Sequence, residues 1–421
     1  STADNTRLFD DDSTAATVGE RTIGELGDTT LLGGAIVSDV DSEIIIGKNS
    51  KIEASGDVNI ETLGKANGAM KAIGTAVAVV YGESDVYSNL NVREGAEINA
   101  GGKVNLSAKT DSSLNVASYA ISTANTPVPG DGALSIGKMT VNNNVVLDAG
   151  SKVSGSEVSV QAVTDKEMSV TASSMAFDDG YAALSVTYSK SDVHNGVDAG
   201  GDITSSGKTL INSQINSTGN KTSASAGTGS STVTTPILKG LHFAHDKIAS
   251  WLKKKNVQTN NQSNVKIGLS AALSYSDQNN TSTAKAGGTI KSGADLDVKS
   301  TVTDAIIRQS ASGSVDSKAG AHEKENAVAG SVGIASYNNT STAYIAEGAA
   351  VDARGPLTVA SSVSVPFEIT WHKIEGVGDV VNKINSNGGL QNGFFTTWAK
   401  SNLSTNDGEE VGKFGLAGAV N

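Results

Sequence analysis

A motif that returns about every 50 residues runs through the chain, and it restricts the fold to architectures that stack one small unit on copies of itself. Each copy is centred on an apolar anchor. Around Ile98, a glycine precedes by three residues (Gly95), a small residue follows at +2 (Ala100), a glycine at +4 (Gly102), and apolar residues at +6 and +8 (Val104, Leu106). The register recurs around Ile52 (Ala54, Gly56, Val58, Ile60) and Val351 (Gly348, Ala353, Gly355, Leu357, Val359). Ile203 keeps it with Thr209 at +6, and Ile290 keeps it with the turn glycine moved to Gly293. The copy at Val153 has a turn one residue shorter, between Gly155 and Val158. Anchor spacings of 46, 55, 50, 87 and 61 residues leave one large insertion, between Ile203 and Ile290.

A second element, a small-apolar alternation running into polar turn residues, lies about 19 residues upstream of the anchors. Its copies are Ala76-Val77-Ala78-Val79, Ala133-Leu134-Ser135-Ile136, Ala183-Leu184-Ser185-Val186, Ala272-Leu273-Ser274-Tyr275 and Ser331-Val332-Gly333-Ile334. Period-2 alternation over short runs bounded by Gly, Asn, Asp and Ser is the signal of half-buried strands. Glycines supply φ > 0 at corners, and small inward residues suit a narrow stack. The fold expected is all-β, a parallel β-helix. Winding each unit as two coils of roughly 25 residues gives about twelve coils and a rod of roughly 60 Å at ~4.8 Å per coil. A two-sheet sandwich is the rival, but it gives no reason for the period.

Composition narrows the function. With 44 acidic and 32 basic residues the net charge is −12, which argues against nucleic acid, whose phosphates need a basic footprint. Glycine (47) is abundant, proline (5) scarce, and aromatics are only 4% of the chain, so tight turns are many and a large aromatic core is unexpected. The absence of cysteine removes disulfides and thiolate chemistry. The longest apolar stretch, Ala72 to Tyr81, is about half of the ~20 residues a spanning helix needs. The Ser-Thr-Ala-Asp start carries no signal-peptide pattern, so a mature chain or an excised fragment is expected.

Gly330-Ser331-Val332-Gly333-Ile334, Asn338-Asn339-Thr340 and Gly348-Ala349-Ala350-Val351-Asp352-Ala353-Arg354-Gly355 resemble the repeats of large secreted filamentous adhesins of Gram-negative bacteria, of the filamentous-haemagglutinin and leukotoxin type. The resemblance covers about Leu31 to Val365, apart from the insertion after Ile211. It implies a right-handed β-helical rod, secretion to the outer surface and a role in adhesion, with a host-surface protein or glycan, neighbouring cells, or self-association with further copies of the chain as the expected partners. Such adhesins are far longer, and Phe414 to Val420 reads as the opening strand of a further unit, so a fragment is expected.

The division read from these signals is an atypical segment 1–30, repeats over 31–212, a helical insertion with flexible flanks over 213–266, repeats over 267–365, a second helical insertion over 366–412, and the start of a further repeat over 413–421. In the first insertion Thr235-Pro236 opens a helix with an apolar stripe at Ile237, Leu238, Leu241, Ile248 and Leu252, ending in Lys253-Lys254-Lys255. Ser223-Ala224-Ser225-Ala226-Gly227 reads as a flexible connector. The second carries Ile369, Ile374, Val377, Val380, Val381 and Ile384, with a short partner helix over 390–400. Trp251, Trp371, Trp398, Phe243, Phe394 and Phe395 fall in these insertions and form the candidate binding set. Three readings stand for the insertions: caps packed on the rod, a presented binding patch in which the rings stack on sugars or partner side chains, and a basic membrane-surface helix.

The enzymatic alternative is a polysaccharide lyase or hydrolase, a class that also uses β-helices and needs clustered carboxylates with a basic residue near the cleaved bond. Arg7, Arg21, Arg93, Arg308 and Arg354 are scattered, and Asp10-Asp11-Asp12 and Asp178-Asp179 read as solvated acids. His242 and His245 beside Asp246 supply too few ligands for a metal site, and His372 with Glu375 fewer still. No cofactor is called for. The repeat is broken twice by aromatic insertions, both after the same strand of their unit, instead of once by a polar cluster, which favours a non-enzymatic rod.

Overall fold

A computed structural model describes residues 2–3, 31–74, 76–122, 130–176, 182–228, 267–304, 307–316, 326–365, 396–404 and 414–420. Among them every regular element is a β-strand. After β1 (Thr2–Ala3), the first coil is β2 (Leu31–Ile46), β3 (Lys51–Ala54) and β4 (Val58–Gly74), and the second is β5 (Val77–Val92), β6 (Glu97–Ala100) and β7 (Val104–Ser122). The third is β8 (Gly130–Leu147), β9 (Lys152–Gly155) and β10 (Val158–Ala176), and the fourth β11 (Ala182–Ala199), β12 (Asp202–Ser205) and β13 (Thr209–Thr228). The fifth comprises β14 (Ile267–Ala286), β15 (Thr289–Ser292), β16 (Leu296–Asp304) and β17 (Ile307–Asp316). The sixth comprises β18 (Asn326–Ile345), β19 (Ala350–Ala353), β20 (Leu357–Ser364) and β21 (Thr396–Ser404), and β22 (Phe414–Val420) opens a seventh.

Corresponding strands pair in parallel from coil to coil and build three sheets. The entry sheet is β2-β5-β8-β11-β14-β18-β22, and the short corner sheet is β3-β6-β9-β12-β15-β19. The return sheet runs β1-β4-β7-β10-β13-β16-β20, with β17 and β21 continuing it alongside. This is a parallel β-helix. The six anchors stand in one column: Ile52 pairs with Ile98, Ile98 with Val153, Val153 with Ile203, Ile203 with Ile290, and Ile290 with Val351. Ile98, Val153, Ile203 and Ile290 are buried in the largest apolar cluster, where each contributes roughly 1.5–3 kcal/mol.

Each ~50-residue unit makes one coil, not the two expected. The Asn, Ser and Thr residues read as turns, Asn338-Asn339-Thr340 among them, lie inside long strands. They do not end the strand because inward amides and hydroxyls bond across the interior. Asn143 Nδ2 donates to the Val163 carbonyl at 2.8 Å, and Asn195 Nδ2 to the Gln214 carbonyl at 2.6 Å. A polar layer with Ser88, Thr110, Thr164, Asn143 and Asn195 therefore separates two apolar clusters, one at the corner and one around Val86, Val116, Met139 and Val141. Strands β5 and β13, of 16 and 20 residues, would extend roughly 53 and 66 Å at ~3.3 Å per residue, whereas seven coil levels rise only about 29 Å at ~4.8 Å each. The stack is wider than it is tall, half the height expected.

In the upstream alternation Ala133, Ala272 and Ser331 share one column as expected, but Ala78 and Ser185 complete it, so the copies read from Ala76 and Ala183 start two residues early. A slip of two keeps every side chain on its face, so the expectation of small inward residues survives. The helical insertions are corrected where the structure describes them. Residues 213–228 belong to β13, with Ala224 and Ala226 buried, and 396–404 form β21, pairing Trp398 with Ser310. The apolar alternation of Ala224 and Ala226 fits the strand period, which a reading by composition alone passes over. The helix signal over 235–255 and the segment after Pro366 lie outside the described residues. Nor do the two interruptions share a position: the first follows β13 at the end of the return sheet, the second separates β20 from β21 within it.

Candidate interaction surfaces

Two surfaces depart from the repeat. The first is a line across the return sheet. In β10 and β13 the register shifts between Lys166 and Glu167, where Thr218 is extra, and its hydroxyl donates to the Lys166 carbonyl at 3.2 Å. One coil on, β16 stops at Asp304 and β17 starts at Ile307; in the next coil, 366–395 separate Ser364, paired with Thr303, from Thr396, paired with Arg308. Bulges of this kind redirect side chains.

Inside that line, Lys166 is fully buried and reaches across two coils, its ammonium donating to Ser191 Oγ at 3.0 Å and Gln278 Oε1 at 3.4 Å. Burial lowers its pKa to about 8, against the opposing pull of Asp304 and Asp192. The buried Asp304 carboxylate accepts from the amides of Asn220 (2.8 Å), Asn339 (3.0 Å) and Asn280 (3.3 Å). Tyr337 is pushed up to about 12 by burial, against its bond with Ser276. Lys166 and Asp304 are fully buried, and their bonds tie neighbouring coils together. Outside the same line a groove of about 260 Å³ is lined by Asn67, Ser113, Asn115, Glu167 and Ser169, among others, with Glu167 its one carboxylate.

The second surface is the outward face of the entry sheet near the start of its strands. One column is Val79, Leu134, Val186, Leu273 and Val332; the next is Tyr81, Ile136, Tyr188, Tyr275 and Ile334. Leu184 is 50% exposed, Leu273 38%, Ile334 48% and Leu416 54%, so the stripe continues onto β22. The Tyr188 and Tyr275 rings stack with centroids 5.3 Å apart, Lys138 Nζ lies 5.6 Å from the Tyr81 ring centre, and the Tyr81 hydroxyl donates to Glu83. This apolar face is the second candidate interaction surface among the described residues.

Of the aromatic residues singled out from the sequence, Trp251, Trp371, Phe243, Phe394 and Phe395 lie outside the described residues, and Trp398 lies on β21, not on a helix. The stripe and the buried Lys166 cluster were missed. Parity was the available signal: counting by twos from Val158 puts Lys166 inward, and counting back from Ile203 in the same way exposes Leu184 once Ala183 is inward. Among the described residues, no group of three or more His, Asp or Glu side chains could hold a metal ion, and no helix is long and apolar enough to cross a membrane. Comparison with protein-family models, curated proteins and solved structures returned no match for this chain.

Proposed function

We propose that this chain is a non-enzymatic segment of a secreted adhesin of the bacterial outer surface. It acts as a right-handed solenoid that spaces and presents mainly helical insertions to a host-cell protein or glycan, or to neighbouring cells. The observation that carries this reading is the unbroken anchor column. Six coils repeat one cross-section, and the longest departures from the period are the segments between β13 and β14 and between β20 and β21. The groove with a single carboxylate gives a hydrolase or lyase reading less support, since both chemistries need a partner group. Right-handed winding is the expectation for parallel strands joined by crossovers.

The test is binding of the full chain to cells and to a glycan array, with Trp251, Trp371 and Trp398 changed singly to alanine. A ring that anchors a partner should weaken binding by roughly thirtyfold, the equivalent of ~2 kcal/mol. Undiminished binding by all three folded variants would move the contact onto the coil faces, and release of soluble sugar from a polysaccharide would replace this reading with the enzymatic one.

A further inference from the structure

We propose that the groove beside the bulge line is a binding site for one neutral sugar residue, held by its hydroxyl groups on the outward face of the return sheet. The assignment goes beyond the adhesive reading, which places binding on the insertions, and does not rest on it.

Two rows of outward side chains frame the groove. Parallel pairing aligns Asn67, Ser113 and Glu167 across coils one to three, and two residues further along the same strands it aligns Ala69, Asn115 and Ser169. At ~4.8 Å between strands and ~3.3 Å per residue the frame measures roughly 10 by 7 Å. Its volume of about 260 Å³ lies below the ~300–1,000 Å³ of sites for larger molecules, so it suits a single ring. The bulge opens the far side. Beyond the register shift Glu167 is opposed in the fourth coil by Gly219, where an added methyl group would lie 3.6 Å from Glu167 Cγ. The position directly opposite the carboxylate therefore carries no side chain.

Unused hydrogen-bonding capacity sets the groove apart. Elsewhere on this face Glu61 is paired with Lys109 at 2.7 Å, Asp111 with Lys65 at 3.3 Å and Asp297 with Lys208 at 2.7 Å, and Asp165 accepts from Asn216 Nδ2 at 2.8 Å. Among the described residues Glu167 has no such partner, and neither do the side chains of Asn115 and Ser169. Asn67 Oδ1 accepts from the Ser113 hydroxyl at 2.8 Å, which leaves its Nδ2 free.

These groups select the ligand. Glu167 only accepts, the amides of Asn67 and Asn115 donate, and Asn115 Oδ1 and the Ser169 hydroxyl complete the set. An amine would satisfy the carboxylate but leave the amide hydrogens unmet, and Lys221, exposed and unpaired beside Ser169 in the fourth coil, would repel it. A phosphate would meet the amides and be repelled by Glu167. A hydroxyl donates and accepts at once, so a ring carrying several of them meets every group, with the exposed Ala69 methyl against its C–H face.

The test is ligand-observed saturation-transfer NMR on the full chain, with the methyl glycosides of glucose, galactose, mannose and N-acetylglucosamine as probes. Transfer to at least one of them is expected. Its affinity should fall about tenfold in Glu167→Gln, and binding should be lost in Ser169→Tyr, whose ring would fill the groove. Both positions face outward, and unchanged circular dichroism checks the fold of each variant. Methylammonium and inorganic phosphate should not displace the glycoside. No transfer to any probe, undiminished transfer in either folded variant, or displacement by either ion overturns the proposal. Transfer lost in Trp251→Ala, Trp371→Ala or Trp398→Ala but kept in Glu167→Gln also overturns it, and leaves the adhesive reading standing. Transfer that depends on Glu167 in a chain that binds no cells upholds the site without that reading.

Discussion

Three residues before the anchor, the backbone turns left-handed in four of the six coils: Asn49 has φ of 55°, Gly95 71°, Gly150 85° and Gly348 76°, while Gly200 and Gly287 hold the same place without a positive φ. At Gly150 the nearest atom to an added methyl group would be Glu94 Cγ at 3.6 Å, so space is not the obstacle and the cost of a side chain is purely conformational. Gly150→Ala should lower the unfolding free energy by about 1–2 kcal/mol, read from the denaturant midpoint. Gly132→Ala, where an added methyl meets nothing within 4 Å, should leave it unchanged or slightly raised. The repeating glycine was legible in the sequence because φ > 0 at Gly95, Gly150 and Gly348, and the close approach of the preceding coil at Gly200, both select against a side chain. Asn49 in the same role was not, because asparagine also serves many ordinary loop positions.

At the scale of the strand, alternation was legible and strand length was not. An asparagine in mid-run looks the same in sequence whether the chain turns there or bonds across the interior to a strand about 20 residues away, as Asn143 and Asn195 do. The buried Lys166 shows what such interior placement does to a charge. Its folded pKa of about 8 lies below the 10.5 of free lysine, so between those values the unfolded chain holds a proton that the native chain lacks. This group therefore adds stability as pH rises from about 8 to 10.5, by roughly 3 kcal/mol in all, and adds nothing below 8, where both states are charged. Unfolding at pH 7.5 and pH 10 should show a larger gain for the parent than for Lys166→Met. Equal gains would mean that Lys166 is not held in this desolvated setting.

The whole molecule is a one-dimensional stack, each coil resting on its neighbours, so its stability should fall coil by coil instead of collapsing with any single loss. A chain ending at Thr228 keeps four coils joined through all three sheets. It should retain strand-dominated circular dichroism and unfold cooperatively at lower denaturant with a smaller m-value; an unfolded product would show that coils five and six are needed to nucleate the rest. The sequence by itself determined the period, the anchor column and the face of each alternating residue, because every coil presents the same surroundings and so imposes the same residue types. Only the tertiary structure decided that a unit is one wide coil, that Lys166 reaches Ser191 and Gln278, and that Asp304 accepts from the amides of three different coils. Those outcomes depend on which strand lies across the interior, a pairing between residues far apart in the chain that no local pattern records.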